Sequence, residues 1–237
     1  MDISIIIPVY NEEENILLIY GDIKRVFSNL KKQFEIIFIN DGSSDQGLAV
    51  LKNIQQTDRC IKIVCFDRNY GQTAALDAGF KEAKGEIILT IDADSQYDPL
   101  DLVRVLEELE HDEVDAVFGK RSNRSSGLIK SISSIIAVFI RNVVLNEFYQ
   151  DASLGGYKKK SLQGLMLYKD TQVFIPAILR TQGLRIKEIN VKEYPRKFGR
   201  SKYNLNNRLF TRLYTLFVIK WLKDNQLKYN ISTVIRS

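Results

Sequence analysis

The sequence predicts an α/β fold built on a largely parallel sheet. From residue 3 to about 120, short apolar runs rich in isoleucine alternate with amphipathic stretches at helical spacing. Polar clusters, "PVYNEEEN", "NDGSSD", "DRNYG" and "DADSQYD", fall at the ends of those runs. In a covered parallel sheet that edge, beyond the carboxyl ends of the strands, is where ligands bind.

The elements follow in order. "ISIIIPVY" (3–10) reads as a buried strand stopped by Pro8, and Ile16, Ile19, Ile23 and Val26-Phe27 mark a helix after it. "FEIIFIN" (34–40) is the second strand. The turn "DGSSD" lets Ser44 or Asp45 cap a helix over 46–56. "IKIVCF" (61–66) and "EIILTI" (86–91) are strands three and four, with the helix "GQTAALDAGFKEA" between them. "PLDLVRVLEELE" begins a helix with Pro99 near its first turn, and "DAVFG" (115–119) is the fifth strand.

The second half changes character. Residues 132–149 carry a wide apolar stripe and predict a helix, 184–194 alternate as a strand does, and 195–204 form a basic loop. Residues 208–223 form a second striped helix flanked by Arg208, Arg212, Lys220 and Lys223. Each striped helix suits a membrane interface, and equally burial against the sheet or in a dimer.

Composition bounds the function. The 237 residues carry a formal charge of +5, too little to imply nucleic acid. A single histidine, His111, sits in the acidic run "LEELEHDEVD" as an expected loop residue, which removes His-based triads and zinc sites. Cys60 and Cys65, at the two ends of one strand, read as structural thiols in a reducing compartment. The first residues lead directly into a strand, so no signal peptide is expected. No run of about 18 uncharged apolar residues predicts a transmembrane helix.

Glycine-rich phosphate loops are absent after the first strand. Carboxylates stand there instead, which suits a site where a divalent cation neutralises phosphates. Asp92-x-Asp94 offers hard oxygens for Mg²⁺ or Mn²⁺, and Gln96 a neutral one. Taken alone, the same pattern is an ordinary capped turn.

The four clusters "PVYNEEEN" (8–15), "NDGSSD" (40–45), "DRNYGQTAALDAG" (67–79) and "DADSQYDP" (92–99) resemble, in order and spacing, the motifs of family 2 glycosyltransferases. The resemblance implies a GT-A fold and an inverting transfer from a nucleotide-diphosphate sugar. The D-A-D-x-Q and R-N-x-G forms resemble the branch of dolichol-phosphate mannosyltransferases and bacterial polyprenyl-phosphate glycosyltransferases. "GKRSNRSSGLIKSISS" (119–134), "DASLGGYKKKS" (151–161) and "RKFGRSKYNL" (196–205) are similar to its acceptor and basic-loop segments, although glycine is more usual than Ser153.

On that resemblance Pro8, Tyr10 and Glu12 line a nucleotide pocket, Asp41 accepts from the base or ribose, and Asp67 lies on the nucleotide side. Asp41 and Asp67 also read as capping or turn residues. Asp92, Asp94 and Gln96 position the metal on the diphosphate. A lipid phosphate acceptor is already anionic and needs cations rather than a base, which Lys120, Arg121, Arg124, Lys130, Arg196, Lys197, Arg200 and Lys202 supply. The same cluster also reads as a solvated basic face.

The expectation is one catalytic domain over 1–237: a nucleotide-sugar and metal half (1–120), an acceptor half (121–207) and an amphipathic helix with its tail (208–237). Asp94, Arg121, Arg124 and Asp151 are its candidate catalytic residues. The partners are a nucleotide-diphosphate sugar, a polyprenyl phosphate and the cytoplasmic face of a membrane, with room for a small transmembrane subunit or a homo-oligomer. One rival is transfer to a saccharide hydroxyl, for which Asp151 is the expected base. Another is a non-catalytic sugar-nucleotide-binding subunit.

Overall fold

The computed structural model describes residues 1–111, 113–121, 154–196, 198, 217, 218 and 221. The first half follows the expected alternation: β1 (Ile3–Val9), α1 (Glu13–Phe27), β2 (Phe34–Asn40), α2 (Gly47–Thr57), β3 (Ile61–Cys65), α3 (Gln72–Glu82), β4 (Ile87–Ile91), α4 (Leu100–Leu109) and β5 (Ala116–Arg121). Beyond it come β6 (Leu154–Lys158), a short helix α5 (Ile175–Thr181) and β7 (Ile186–Val191).

The strands form one sheet in the order β3-β2-β1-β4-β6-β5-β7. β1 pairs in parallel with β2 and β4, β2 with β3, and β5 with β7. β6 alone among these strands runs the other way, antiparallel to both β4 and β5.

Period-two alternation splits the core between two faces. Ile3, Ile5, Ile7 and Val9 of β1 pack with α1, α2 and α4 through Ile16, Ile19, Ile23, Leu51, Leu102 and Val105. Ile6 turns to the other face, with Ile37, Ile39, Leu76, Ile175 and Leu179. Two polar residues within these strands are buried and satisfied. Ser4 Oγ donates to Glu35 Oε1 (2.6 Å) and accepts from Gly85 N (2.8 Å), and Lys84 N donates to the same carboxylate oxygen (2.8 Å).

β6 is the strand that composition hides. "LGGYK" reads as a loop because glycine is depleted in strands. Here α4 presses on the sheet, and a Cβ at Gly156 would lie 2.3 Å from Val105 Cγ1 and 2.7 Å from Leu109 Cδ1. Close packing selects the glycine against strand propensity.

The expected cap of α2 takes a different form. Gln46 occupies the cap position with no side-chain bond of its own. Asp45 Oδ1 accepts from Gly47 N (3.0 Å) and its Oδ2 from Glu13 N (3.0 Å), while Glu13 Oε2 accepts from Gln46 N (2.6 Å). The starts of α1 and α2 thus cap each other. His111 is exposed in a bend, as expected, and Cys60 and Cys65 are free thiols.

The predicted helix at 132–149 lies outside the described residues. Of 208–223, Phe217, Val218 and Trp221 are described; they are helical and exposed. No helix among the described residues is long and apolar enough to cross a membrane.

Candidate active site

A cleft of about 560 Å³ opens at the carboxyl ends of β1, β2 and β4. Pro8, Tyr10 and Glu12 leave β1 into one wall, and Asp41 follows β2. Asp41 is 3% exposed and holds the next wall in place. Its Oδ1 accepts from Tyr70 N (2.7 Å), and its Oδ2 accepts from Gly71 N (2.9 Å) and Asn69 Nδ2 (2.9 Å). Burial pushes the Asp41 carboxyl above its usual range, against the pull of the bonds from Tyr70 and Gly71. The loop comes close because Gly42, at φ +65°, leaves no side chain in the way: a Cβ there would lie 2.3 Å from the Arg68 carbonyl carbon.

The exit of β4 supplies the acidic floor. Asp92 Oδ1 accepts from Gln72 Nε2 (2.7 Å), at the start of α3. Ser95, at φ +56°, turns the chain so that Asp94 Oδ1 accepts from Gln96 N (3.2 Å). Arg196, more than a hundred residues later, stands over this floor. Its Nη2 is 2.9 Å from Asp94 Oδ2, its Nη1 3.7 Å from Glu12 Oε1, and its Nε donates to Gln96 Oε1 (3.2 Å). The Gln96 amide nitrogen faces Tyr194 O (3.3 Å) and Glu193 Oε1 (3.4 Å). Tyr194 N also donates to Gln96 O (2.8 Å), so this strip anchors the segment carrying Arg196. The third acid of the run, Asp98, does other work: its Oδ1 accepts from Leu100 N (2.9 Å) at the start of α4.

The last wall comes from the turn before α5, where Lys169, Asp170 and Gln172 reach the cleft. Thr73 Oγ1 donates to Gln172 Oε1, and Gln172 N donates back to Thr73 Oγ1 (3.3 Å), tying this turn to α3.

The cleft thus lies at the carboxyl edge of the sheet, with two acids on its floor and Arg196 above them. Residues 4–169 match the model of glycosyl transferase family 2. The chain belongs to this family. Among its family 2 relatives is the undecaprenyl-phosphate 4-deoxy-4-formamido-L-arabinose transferase of Photorhabdus laumondii, 31% identical over 217 residues, with 90% of this chain and 66% of the relative covered. The dodecaprenyl-phosphate galacturonate synthase of Rhizobium johnstonii is 31% identical over 231 residues, covering 94% of this chain and 68% of the relative. The chain thus spans about two thirds of these proteins. Among solved structures it resembles the glucosyl-3-phosphoglycerate synthase of Mycobacterium tuberculosis in complex with Mn²⁺, uridine diphosphate and phosphoglyceric acid. That match has a TM-score of 0.70 at 16% identity and covers 96% of this chain and 80% of that one. The fold is the GT-A fold of glycosyltransferases.

Against the family motifs the structure sorts the expected residues. Pro8, Tyr10, Glu12, Asp41, Asp92, Asp94 and Arg196 meet in one cleft. Asp67 is exposed and does not line it; its neighbours Arg68 to Gly71 do. Gln96 also stands off the lining, behind Arg196, where its side-chain oxygen already accepts from the guanidinium. Arg121 closes β5 opposite Val191. Its side chain, together with Arg124, Lys130, Asp151, Lys197, Arg200 and Lys202, lies outside the described residues. Lys120 pairs with Glu188 (3.7 Å). Sequence reasoning passed over Gln72, Lys169, Asp170 and Gln172. The family motif contains Gln72, but the last three sit in a polar turn with no periodic pattern to mark it.

Proposed function

We propose that the protein transfers a sugar, with inversion, from a nucleotide-diphosphate donor to a polyprenyl phosphate at a membrane surface, with the help of a divalent cation. The observation that carries this reading is the grouping of Asp92, Asp94 and Arg196 on the floor of a family 2 cleft. The acceptor class is supported by the relatives, which are named for undecaprenyl and dodecaprenyl phosphate.

Asp92 and Asp94 are the residues that would hold the cation. Among the described residues no cluster of three or more His, Cys, Asp or Glu forms a closed metal cage. Two carboxylates fit an ion such as Mg²⁺, which takes one or two from the protein and completes its shell with waters and substrate phosphates. Mn²⁺ in the solved structure of the Mycobacterium tuberculosis enzyme supports the same class of ion. Bound there, the cation would offset charge on the leaving diphosphate.

The chain's own residues do the rest. Gln72 orients Asp92, Arg196 compensates Asp94 and stands ready to grip phosphate oxygens, and the 69–71 loop held by Asp41 shapes the nucleotide end. An oxygen of the acceptor phosphate attacks the anomeric carbon as the bond to the diphosphate breaks. No proton has to be removed, because the attacking oxygen is already anionic. We place the membrane contact on the helical Phe217 and Trp221, both 63% exposed. The single sheet, with strands from both sides of residue 120, supports one catalytic unit.

A second reading, transfer to a saccharide hydroxyl, is favoured by Asp170. It is a carboxylate on the cleft wall, and a hydroxyl acceptor needs a general base.

The test is a screen of radiolabelled sugar nucleotides with a short polyprenyl phosphate and Mn²⁺, followed by lipid extraction. Label in the organic phase supports the proposal. Label found only in added saccharide supports the second reading, and no transfer from any donor overturns both.

A further inference from the structure

The turn Tyr168–Thr171 is built more rigidly than its polar sequence suggests. Thr171 is buried; its Oγ1 donates to Tyr168 O (2.6 Å) and accepts from Tyr168 N (3.1 Å), and its own N donates to Tyr168 O (3.1 Å). Asp170, at the tip, has φ +62°. The next residue, Gln172, is bonded in both directions to Thr73, and Thr73 follows Gln72, which holds Asp92. A continuous frame therefore fixes the tip relative to the acidic floor.

Lys169 and Asp170 line the cleft, and among the described residues neither has a hydrogen bond, an ion pair or a ring contact. The other charged groups of the cleft are engaged. Asp41 holds its loop, Asp92 meets Gln72, Arg196 spans Asp94 and Glu12, and Arg68 lies 5.0 Å from the centre of the Tyr70 ring. An acceptor beside a donor on a braced turn, both lining a cleft and both unused by the described residues, is what a polar ligand group requires.

We infer that Lys169 and Asp170 form the sugar-reading wall of this cleft. Asp170 accepts hydrogen bonds from hydroxyls of the donor sugar, and Lys169 donates to an oxygen substituent on the same ring. The inference rests on the proposed nucleotide-sugar donor and names the residues that choose among sugars. An ionised carboxylate is acceptor-only and takes two hydroxyls at once. Left without them it penalises a sugar that lacks them, so the wall acts on selectivity as well as affinity.

The left-handed backbone of Asp170 is one that asparagine also adopts, so Asp170→Asn keeps the turn while changing the side chain's hydrogen bonding. The experiment is calorimetric titration of the full chain, with Mn²⁺ present, against uridine and guanosine diphosphates and their glucose, glucuronate and mannose derivatives. The expected result is that Asp170→Asn weakens sugar-nucleotide binding about tenfold and leaves the matching bare diphosphate unchanged. Lys169→Ala should also change the order of preference among sugars. Equal weakening of the sugar nucleotide and the bare diphosphate would overturn the inference. So would unchanged donor binding with collapsed turnover, which would make Asp170 a base. Wild-type protein that binds none of the sugar nucleotides would overturn the proposed function and, with it, this inference.

Discussion

Arg196 Nη2 lies 2.9 Å from Asp94 Oδ2, so a cation of the protein's own occupies one of the two carboxylates proposed to hold the metal. Asp94 is 7% exposed, and a charge so enclosed needs compensation. An ion held there as proposed would compete with the guanidinium for the same oxygen until a diphosphate gave Arg196 another partner.

From this competition follows a pair of opposite outcomes. Asp94→Ala should abolish turnover with the circular dichroism spectrum unchanged. Arg196→Ala should bind free Mn²⁺ more tightly than wild type, yet turn over more slowly. Mn²⁺ titration by electron paramagnetic resonance, with a transfer assay alongside, checks both. Weaker Mn²⁺ binding in Arg196→Ala would show that the pair does not compete with the ion.

Gly42→Ala should damage the cleft and the fold together. The new Cβ would lie 2.3 Å from the Arg68 carbonyl carbon, and the backbone at φ +65° disfavours a side chain by about 1–2 kcal/mol on its own. Thermal unfolding should shift down, and nucleotide affinity should fall because the 69–71 loop is displaced from Asp41. A wild-type melting curve would contradict the close approach.

Asp58 links pH to stability far from the cleft. Burial pushes its carboxyl up, but hydrogen bonds from Lys24 (2.8 Å), Cys60 N (3.0 Å) and Tyr20 (2.9 Å) outweigh this and hold it far below the usual carboxylate range. The folded state therefore binds this proton less readily than the unfolded chain. Its stabilisation is complete above the unfolded value of about 4 and is lost as pH falls toward the folded value. Lys24 is raised in turn, chiefly by its bond to Asp58, so its share persists below its unfolded value and is lost only as pH rises through the higher folded one. Urea unfolding should show a constant penalty for Asp58→Asn from pH 5 to 8, shrinking below about pH 4. A penalty that does not change with pH would mean that packing, not charge, is what the residue contributes.

Phe217 and Trp221, one helical turn apart and both 63% exposed, predict a membrane contact. The protein should co-sediment with anionic liposomes, salt should weaken this, and the fluorescence of Trp221 should move to the blue on binding. Replacing both residues with serine should release the protein from the vesicles without unfolding it. Bound vesicles with no spectral change would place the contact elsewhere.

Much of the architecture was legible because β1, β2 and β4 are buried on both faces and so read as unbroken apolar runs. The acidic floor was legible because its two carboxylates are neighbours in the chain. The rest depended on distant approach. β6 needed Gly156 under α4, a requirement invisible to strand propensity. The Lys169–Asp170 tip reaches the cleft through a bond between Thr73 and Gln172, 99 residues apart. Asp67 was expected one residue too early along a motif whose cleft-lining portion begins at Arg68. Gln96 was matched by type to a metal, whereas the segment around Tyr194, which occupies its hydrogen bonds, belongs to a part of the chain with no local mark of its approach.

The reversed direction of β6 has a consequence for how such a protein changes over generations. β5 ends, and β6 begins, on the same edge of the sheet, the one that carries the cleft, and the two strands are adjacent. A short hairpin could join two such neighbours, so the pairing itself sets no length for the connection between them. A connection at that border can be lengthened or exchanged while β1 to β4 keep their register.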